Sequence, residues 1–134
     1  MKNLPHVWPL LLLFLIPFFG SSQDISGSWS WHAENGNSLM EIILEAEGEE
    51  YIGYHCTVFQ NGDRIDCAKE DEPASIHIKR TTKNVFEGKI RSAYSASEGK
   101  VRMYYDPESQ TLLFEILKAP LDLYYLPKIA TFKK

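Results

Sequence analysis

Three histidines, His32, His55 and His77, and two cysteines, Cys56 and Cys67, are the side chains best suited to chemistry from residue 23 onward. A metal site needs such ligands at short spacing, in pairs such as His-x-His or His-x-x-x-His. No such pair occurs, and each histidine falls on a different expected strand. No metal and no other cofactor is expected. Asp63 with Asp66, or Glu47 with Glu49 and Glu50, offer paired carboxylates for general acid–base work. That chemistry needs one acid in a desolvating pocket. These acids lie in or beside turn-forming stretches, so the sequence predicts them ionised and solvated. A serine nucleophile calls for an elbow such as Gly-x-Ser-x-Gly. Gly27-Ser28-Trp29-Ser30 does not supply it, and Ser95 and Ser97 have no base close in sequence. The cysteines read best as a disulfide, which removes them as nucleophiles. No catalytic residue is assigned, and the expectation is a non-enzymatic protein.

Aromatic side chains are the remaining candidates. Trp29, Trp31, Tyr54, Tyr104 and Tyr125 form a candidate ligand-binding set. A small β-barrel can hold an apolar or aromatic ligand in a mouth lined by such rings. Tyr104-Tyr105 and Tyr124-Tyr125 put one ring on each face of a strand, so one of each pair falls outside or at a rim. The competing use of these rings is core packing and cross-strand pairing.

The elements that must position these residues are short strands. Asn61-Gly62 is the preferred centre of a two-residue type I′ turn, because both positions need positive φ. Counting outward pairs Gln60 with Asp63, Phe59 with Arg64, Val58 with Ile65, Thr57 with Asp66 and Cys56 with Cys67. Directly opposed residues bring their Cα atoms to about 4.5–5.5 Å, inside the range a disulfide accepts, about 4.4–6.8 Å. The turn dipeptide and the cysteine spacing thus give one register. It predicts Cys56, Val58, Ile65 and Cys67 on a core-facing side. Phe59 and Arg64 then face outward as a candidate interaction surface.

Elsewhere apolar residues alternate with polar ones between turn-rich breaks, and no long stretch has helical period. Trp29 with Trp31 and Met40 with Ile42 and Leu44 mark the first strands. Ile76 with Ile78 and residues 85–90 follow. Residues 101–105 and 111–117 read as a second hairpin across Asp106-Pro107-Glu108-Ser109. Residues 121–126 and 129–132 are the last strand candidates, and residues 119–123 are the alternative site of one short helical turn. About eight to ten short strands point to an all-β barrel or sandwich.

The N-terminus sets the expected compartment. Lys2 precedes an apolar run at residues 10–19, and Gly20-Ser21-Ser22 offers small residues before Gln23. This is the layout of a secretory signal peptide over residues 1–22, with cleavage near Ser22-Gln23. The run is too short for a membrane span, which takes about 20 apolar residues. The alternative is an uncleaved anchor. Residues 23–134 then form one domain, periplasmic or secreted, with no stable membrane span. The formal charge of −4 argues against nucleic acid as a partner, which calls for concentrated Lys and Arg.

Gly27-Ser28-Trp29 opens the first strand of that domain. A Gly-x-Trp there resembles the N-terminal signature of the calycin superfamily, the lipocalin- and avidin-like up-and-down barrels. The resemblance implies a small antiparallel barrel with the Trp across one end and a basic residue of the last strand, Lys133 or Lys134, over it. Residues 61–67, Asn-Gly-Asp-Arg-Ile-Asp-Cys, with Cys56 upstream, also resemble small exported bacterial domains. That likeness brings a fold and no activity. The chain is shorter than a typical lipocalin, and the biotin-contacting residues of avidin have no counterpart in it. Two functions follow as expectations. One is an exported binding module taking a small hydrophobic ligand at the barrel mouth. The other is a protein–protein module with a filled barrel, such as an inhibitor, an immunity partner or an envelope assembly factor, bound to an envelope protein.

A disulfide closing so short a loop stabilises by about 2–3 kcal/mol. Reductant, or Cys56→Ser, is therefore expected to lower the melting temperature of the 23–134 domain by about 10 °C. An unchanged calorimetric melt would rule the bond out.

Overall fold

The structure is a computed structural model, and it describes residues 23–69 and 71–134. The expected signal segment, residues 1–22, lies outside the described residues. Alternation of apolar and polar side chains is carried through as strands: β1 (Gly27–His32), β2 (Leu39–Glu47), β3 (Glu50–Phe59), β4 (Arg64–Cys67), β5 (Ile76–Thr82), β6 (Val85–Arg91), β7 (Glu98–Asp106), β8 (Thr111–Lys118) and β9 (Ile129–Phe132). All pair antiparallel, in the order β1-β2-β3-β5-β6-β7-β8-β9. Ser30 and Lys133 then exchange two backbone hydrogen bonds of 2.8 and 2.9 Å and bring the last strand back to the first. The protein is a nearly closed, all-β barrel of eight strands. The 101–105 and 111–117 hairpin forms as expected, in β7 and β8.

β4 stands off this circuit and pairs with the second half of β3, while β5 takes the first half. Its register is the one counted from Asn61-Gly62: Cys56 faces Cys67, Thr57 faces Asp66, Val58 faces Ile65 and Phe59 faces Arg64. Asn61 and Gly62 both have positive φ, and Asp63 N–H donates to the Gln60 carbonyl at 3.2 Å. Cys56 and Cys67 are joined.

Two expectations are corrected. The faces of the hairpin are inverted: Tyr51, His55, Thr57 and Asp66 are buried, whereas Ile65 is 52% exposed. Cys56, Val58 and Cys67 share the outer side with Ile65. Phe59 and Arg64 share the inner side instead of pointing outward, on a part of the hairpin that overhangs the barrel end. The inner side is the more polar one, and it can be buried because its polar groups satisfy one another. Residues 119–128 form neither the helical turn nor the strand over 121–126. Prolines at 120 and 127 withdraw two amide donors from this stretch, the Asp122 and Tyr125 N–H groups bond side chains described below, and the Lys128 carbonyl accepts the Ile116 N–H at 2.8 Å.

The interior is filled. Met40, Ile42, Phe86, Met103, Phe114 and Phe132 are all 0% exposed and pack with Ile76, Ile90 and Leu112. Eight strands leave an interior about wide enough for side chains. One end is closed by the entering chain. Trp29 Nε1 donates to the Ile25 carbonyl at 2.9 Å, Tyr51 O–H to Asp24 Oδ1 at 3.0 Å, and Arg80 to the Gln23 carbonyl at 2.6 Å. Lys134 Nζ bonds the Ser26 carbonyl at 2.8 Å and lies 5.3 Å from the centre of the Trp29 ring.

Bending the sheet this tightly needs inward positions without a side chain. At Gly88 an added Cβ collides with the His77 carbonyl oxygen on β5, and at Gly53 it meets the Ile43 carbonyl oxygen at 2.6 Å. Backbone cannot yield as a flexible side chain does. Gly88→Ala is expected to cost roughly 2 kcal/mol or more, read as a lower denaturant midpoint, while Lys89→Ala on the outer wall stays within about 0.5 kcal/mol.

Candidate functional site

The histidine, carboxylate and hydroxyl groups converge at the other barrel end. His55 on β3 and Asp66 on β4 face inward, and Ser75 and Ser92 bracket β5 and β6. Asp66 is 0% exposed and His55 1%. His55 Nε2 lies 2.9 Å from Asp66 Oδ1, and His55 Nδ1 lies 2.7 Å from Ser75 Oγ. Ser75 Oγ also accepts the His55 backbone N–H at 3.2 Å. One tautomer satisfies every contact: Nε2–H donates to Asp66, and Nδ1 accepts the Ser75 hydroxyl.

Asp66 takes three further donors. Ser92 O–H and Tyr125 N–H reach Oδ2 at 2.6 and 3.1 Å, and Ala93 N–H reaches Oδ1 at 2.6 Å. A carboxylate offers about four acceptor positions, and all are used. Burial pushes the Asp66 carboxyl up, but the hydrogen bonds from His55, Ser92 and Tyr125 outweigh it and hold the group below its ordinary 3.8. The carboxylate thus ties β4 to the loops at 92–97 and 119–128.

Ser75, His55 and Asp66 have the membership of a hydrolase triad. A nucleophile must reach substrate and be approached by donors that hold the developing oxyanion. Ser75 is 2% exposed, so its hydroxyl, bonded to the ring and backbone of His55, is shut off from solvent. The Ser75–His55–Asp66 chain joins β3, β4 and the start of β5 as a latch. Expecting Asp66 to be solvated is therefore corrected. His55, which offered no metal-ligand spacing in the sequence, is buried beside it. The missed signal lay in the register itself, which sets Asp66 opposite Thr57 on the face of His55.

The aromatic set does not converge. Trp29 is sealed at the first end beneath Lys134 and against Tyr105, at 6.2 Å between ring centres. Trp31 faces inward towards the latch end, half-buried. Tyr104 stands outside on β7, opposite Leu113. Tyr125 packs on Tyr94 at 4.8 Å and under the Arg64 guanidinium at 5.7 Å. Tyr54 is on the outer wall of β3, opposite Ile43. Among the described residues no three or more His, Cys, Asp or Glu side chains are grouped to hold a metal ion.

No protein-family model, curated protein or solved structure matches this chain. The site must stand on geometry alone.

One candidate face in that geometry is the outer side of β2, β3 and β4. Cross-strand pairs Ile43–Tyr54 and Leu39–Val58, with Val58–Ile65, share this outer side on either side of the Glu41–Cys56 pair and the Cys56–Cys67 bond. Ile43 is 49% exposed. A cleft of about 370 Å³ opens on it, lined by Glu41, Ile43, Glu45, Tyr54 and Ala68 among others. The wall over β6–β8 mixes charged and apolar groups: Arg102 bridges Glu87 and Glu115 at 3.1 and 3.5 Å across three strands, beside the exposed Tyr104, Leu113 and Leu117.

Asp66→Asn replaces two acceptor positions with an amide that faces donors. It is expected to cost roughly 3 kcal/mol at neutral pH. The carboxyl of the wild-type residue titrates lower folded than unfolded, so its stabilisation is complete above pH 3.8 and is lost as pH falls through the folded-state value. Urea melts from pH 7 to 2 are expected to show the gap between the two proteins narrowing below pH 3.8. A constant gap would exclude the latch as the source.

Proposed function

We propose that this chain is exported, is cut near Ser22-Gln23, and serves as a non-catalytic, calycin-like barrel that binds another protein through the outer face of β2, β3 and β4. The observation that carries this is the filled interior. With Phe86, Phe114, Phe132 and Met103 fully buried, the barrel has its own side chains where a ligand would sit. Specific recognition then falls to the outside, where contiguous apolar strips mark interaction sites. The strip over Ile43, Tyr54, Val58 and Ile65 is braced by the disulfide outside and the Asp66 latch inside, so it enters a complex with little ordering cost. Export is supported by the layout of residues 2–22 and by the disulfide, which persists in oxidising compartments. The calycin likeness is supported by Gly27-Ser28-Trp29 and by Lys134 over the Trp29 ring.

A photo-crosslinking side chain placed at position 54 in the full chain, made in its own cells, is expected to capture protein. The same group at position 89 on β6 is expected to capture none, and Ile43→Asp is expected to abolish the adduct at 54. A small ligand at the barrel mouth is favoured instead if no protein adduct forms and hydrophobic compounds quench tryptophan fluorescence saturably.

A further inference from the structure

We infer that the partner of the β2–β3–β4 face is a second copy of this chain, which inserts its 118–128 segment into the cleft between Glu41 and Glu45 and so assembles head to tail. The inference rests on the reading that this face binds protein, and it names the partner.

The segment is built to be inserted. Leu121 is 87% exposed and Leu123 62%, the two most exposed large apolar side chains among the described residues. Their exposure is held in place. Tyr125 N–H is fixed on Asp66 at 3.1 Å and Asp122 N–H on Ser97 Oγ at 3.3 Å, while Pro120, Leu126 and Pro127 are buried. A segment tied at its flanks presents its leucines without the entropy cost of ordering a free loop.

Charge selects the occupant. Lys118 and Lys128 are exposed at the two ends of the segment. Glu41 and Glu45 are exposed along the cleft, and Ile43 stands between them. The segment's two end lysines outnumber Asp122 between its leucines, and they face a cleft whose apolar centre has glutamates on both sides, an arrangement that fixes orientation. Two copies of one surface facing each other would oppose like charges, so a symmetric contact of either surface with itself is disfavoured. The contact is heterologous, and heterologous contacts propagate unless the rotation closes a ring. An anionic lipid surface is the other occupant that leucines between lysines would suit. A lipid surface would leave the cleft beside Ile43 unfilled, whereas a second copy fills it.

Sedimentation velocity of the 23–134 protein decides the matter. Mass is expected to rise past the dimer with concentration and to fall with salt. Leu121→Asp with Leu123→Asp, and separately Ile43→Asp, are each expected to leave a monomer with a near-wild-type melt. Mixed together, these two are expected to form a heterodimer that grows no further, because one keeps the cleft and the other the segment. Glu41→Lys with Glu45→Lys is a second cleft variant, expected to weaken assembly at least about tenfold. Mixing it with Lys118→Glu and Lys128→Glu is expected to restore assembly. A monomer at every concentration overturns the inference, as does assembly unaffected by the leucine substitutions. Leucine-dependent binding of a monomer to phosphatidylglycerol vesicles overturns it in favour of a membrane. A different protein crosslinked at position 54 to a monomeric chain ends the inference and leaves the binding face standing. No protein adduct at all ends both.

Discussion

Much of this molecule hangs on one buried negative charge. Asp66 is a carboxylate with no exposed surface, and removing an ion from water costs several kcal/mol unless its lone pairs are filled. Four donors fill them, and they come from distant parts of the chain: His55 on β3, Ser92 and Ala93 after β6, and Tyr125 before β9. The cost of leaving the charge unpaired is what makes the contacts cooperative, because losing one donor weakens the case for the other three. A short four-residue strand outside the main circuit and two irregular segments become one end of a barrel through this group.

The two ends of the barrel solve the same problem differently. The first end is closed by backbone carbonyls that accept side-chain donors, from Trp29, Arg80 and Lys134, with Lys134 also lying over an aromatic face. Here the strap at Gln23–Ser26 lies across an apolar floor, and Ile25 is wholly buried. The second end has no such strap, and a buried carboxylate gathers the loops instead. The filled core joins the two ends. Phe86, Phe114 and Phe132 are wholly buried, with Phe114 and Phe132 edge to face at 5.8 Å, so the middle of the barrel is packed with its own side chains.

Local sequence carried much of the fold. Alternation marked β1 to β8, and Asn61-Gly62 with the cysteine pair fixed the hairpin register residue by residue, because turn type and side-chain period are local properties. Which side of that hairpin is buried is a different kind of fact. Ranking its faces by hydrophobicity favours Val58 and Ile65 over Thr57 and Asp66, and the ranking fails because the deciding term is the complementarity of His55, Ser75 and Ser92 to Asp66. Of Asp66's donors only His55 is local; Ser92, Ala93 and Tyr125 lie 26 to 59 residues further along the chain. The segment at 119–128 failed for a related reason: its apolar pattern suited a strand or a helical turn, but Pro120 and Pro127 have no amide donor and the Tyr125 and Asp122 N–H groups are taken by Asp66 and Ser97. Of the candidate face, the sequence pattern assigns Val58 and Ile65 to the core and Tyr54 to a ligand-binding mouth.

The latch and the exposed strip are one structural decision. Side chains alternate along a strand, so Asp66 cannot turn inward without turning Ile65 and Cys67 outward. Pairing across β3 then carries the outward set to Val58 and Cys56, and pairing across β2 carries it to Leu39, Glu41 and, through Tyr54, to Ile43. A polar interior at this end therefore implies an apolar exterior. An exposed strip is a liability in a monomer, because it invites aggregation. Here the disulfide sits on the outer side of the same hairpin, where it staples β4 to β3 without occupying the space the latch needs inside. The hairpin is thus held from both faces, and its apolar surface is fixed in shape instead of being free to collapse. A surface so costly to expose and so firmly held has the physical character of a binding face.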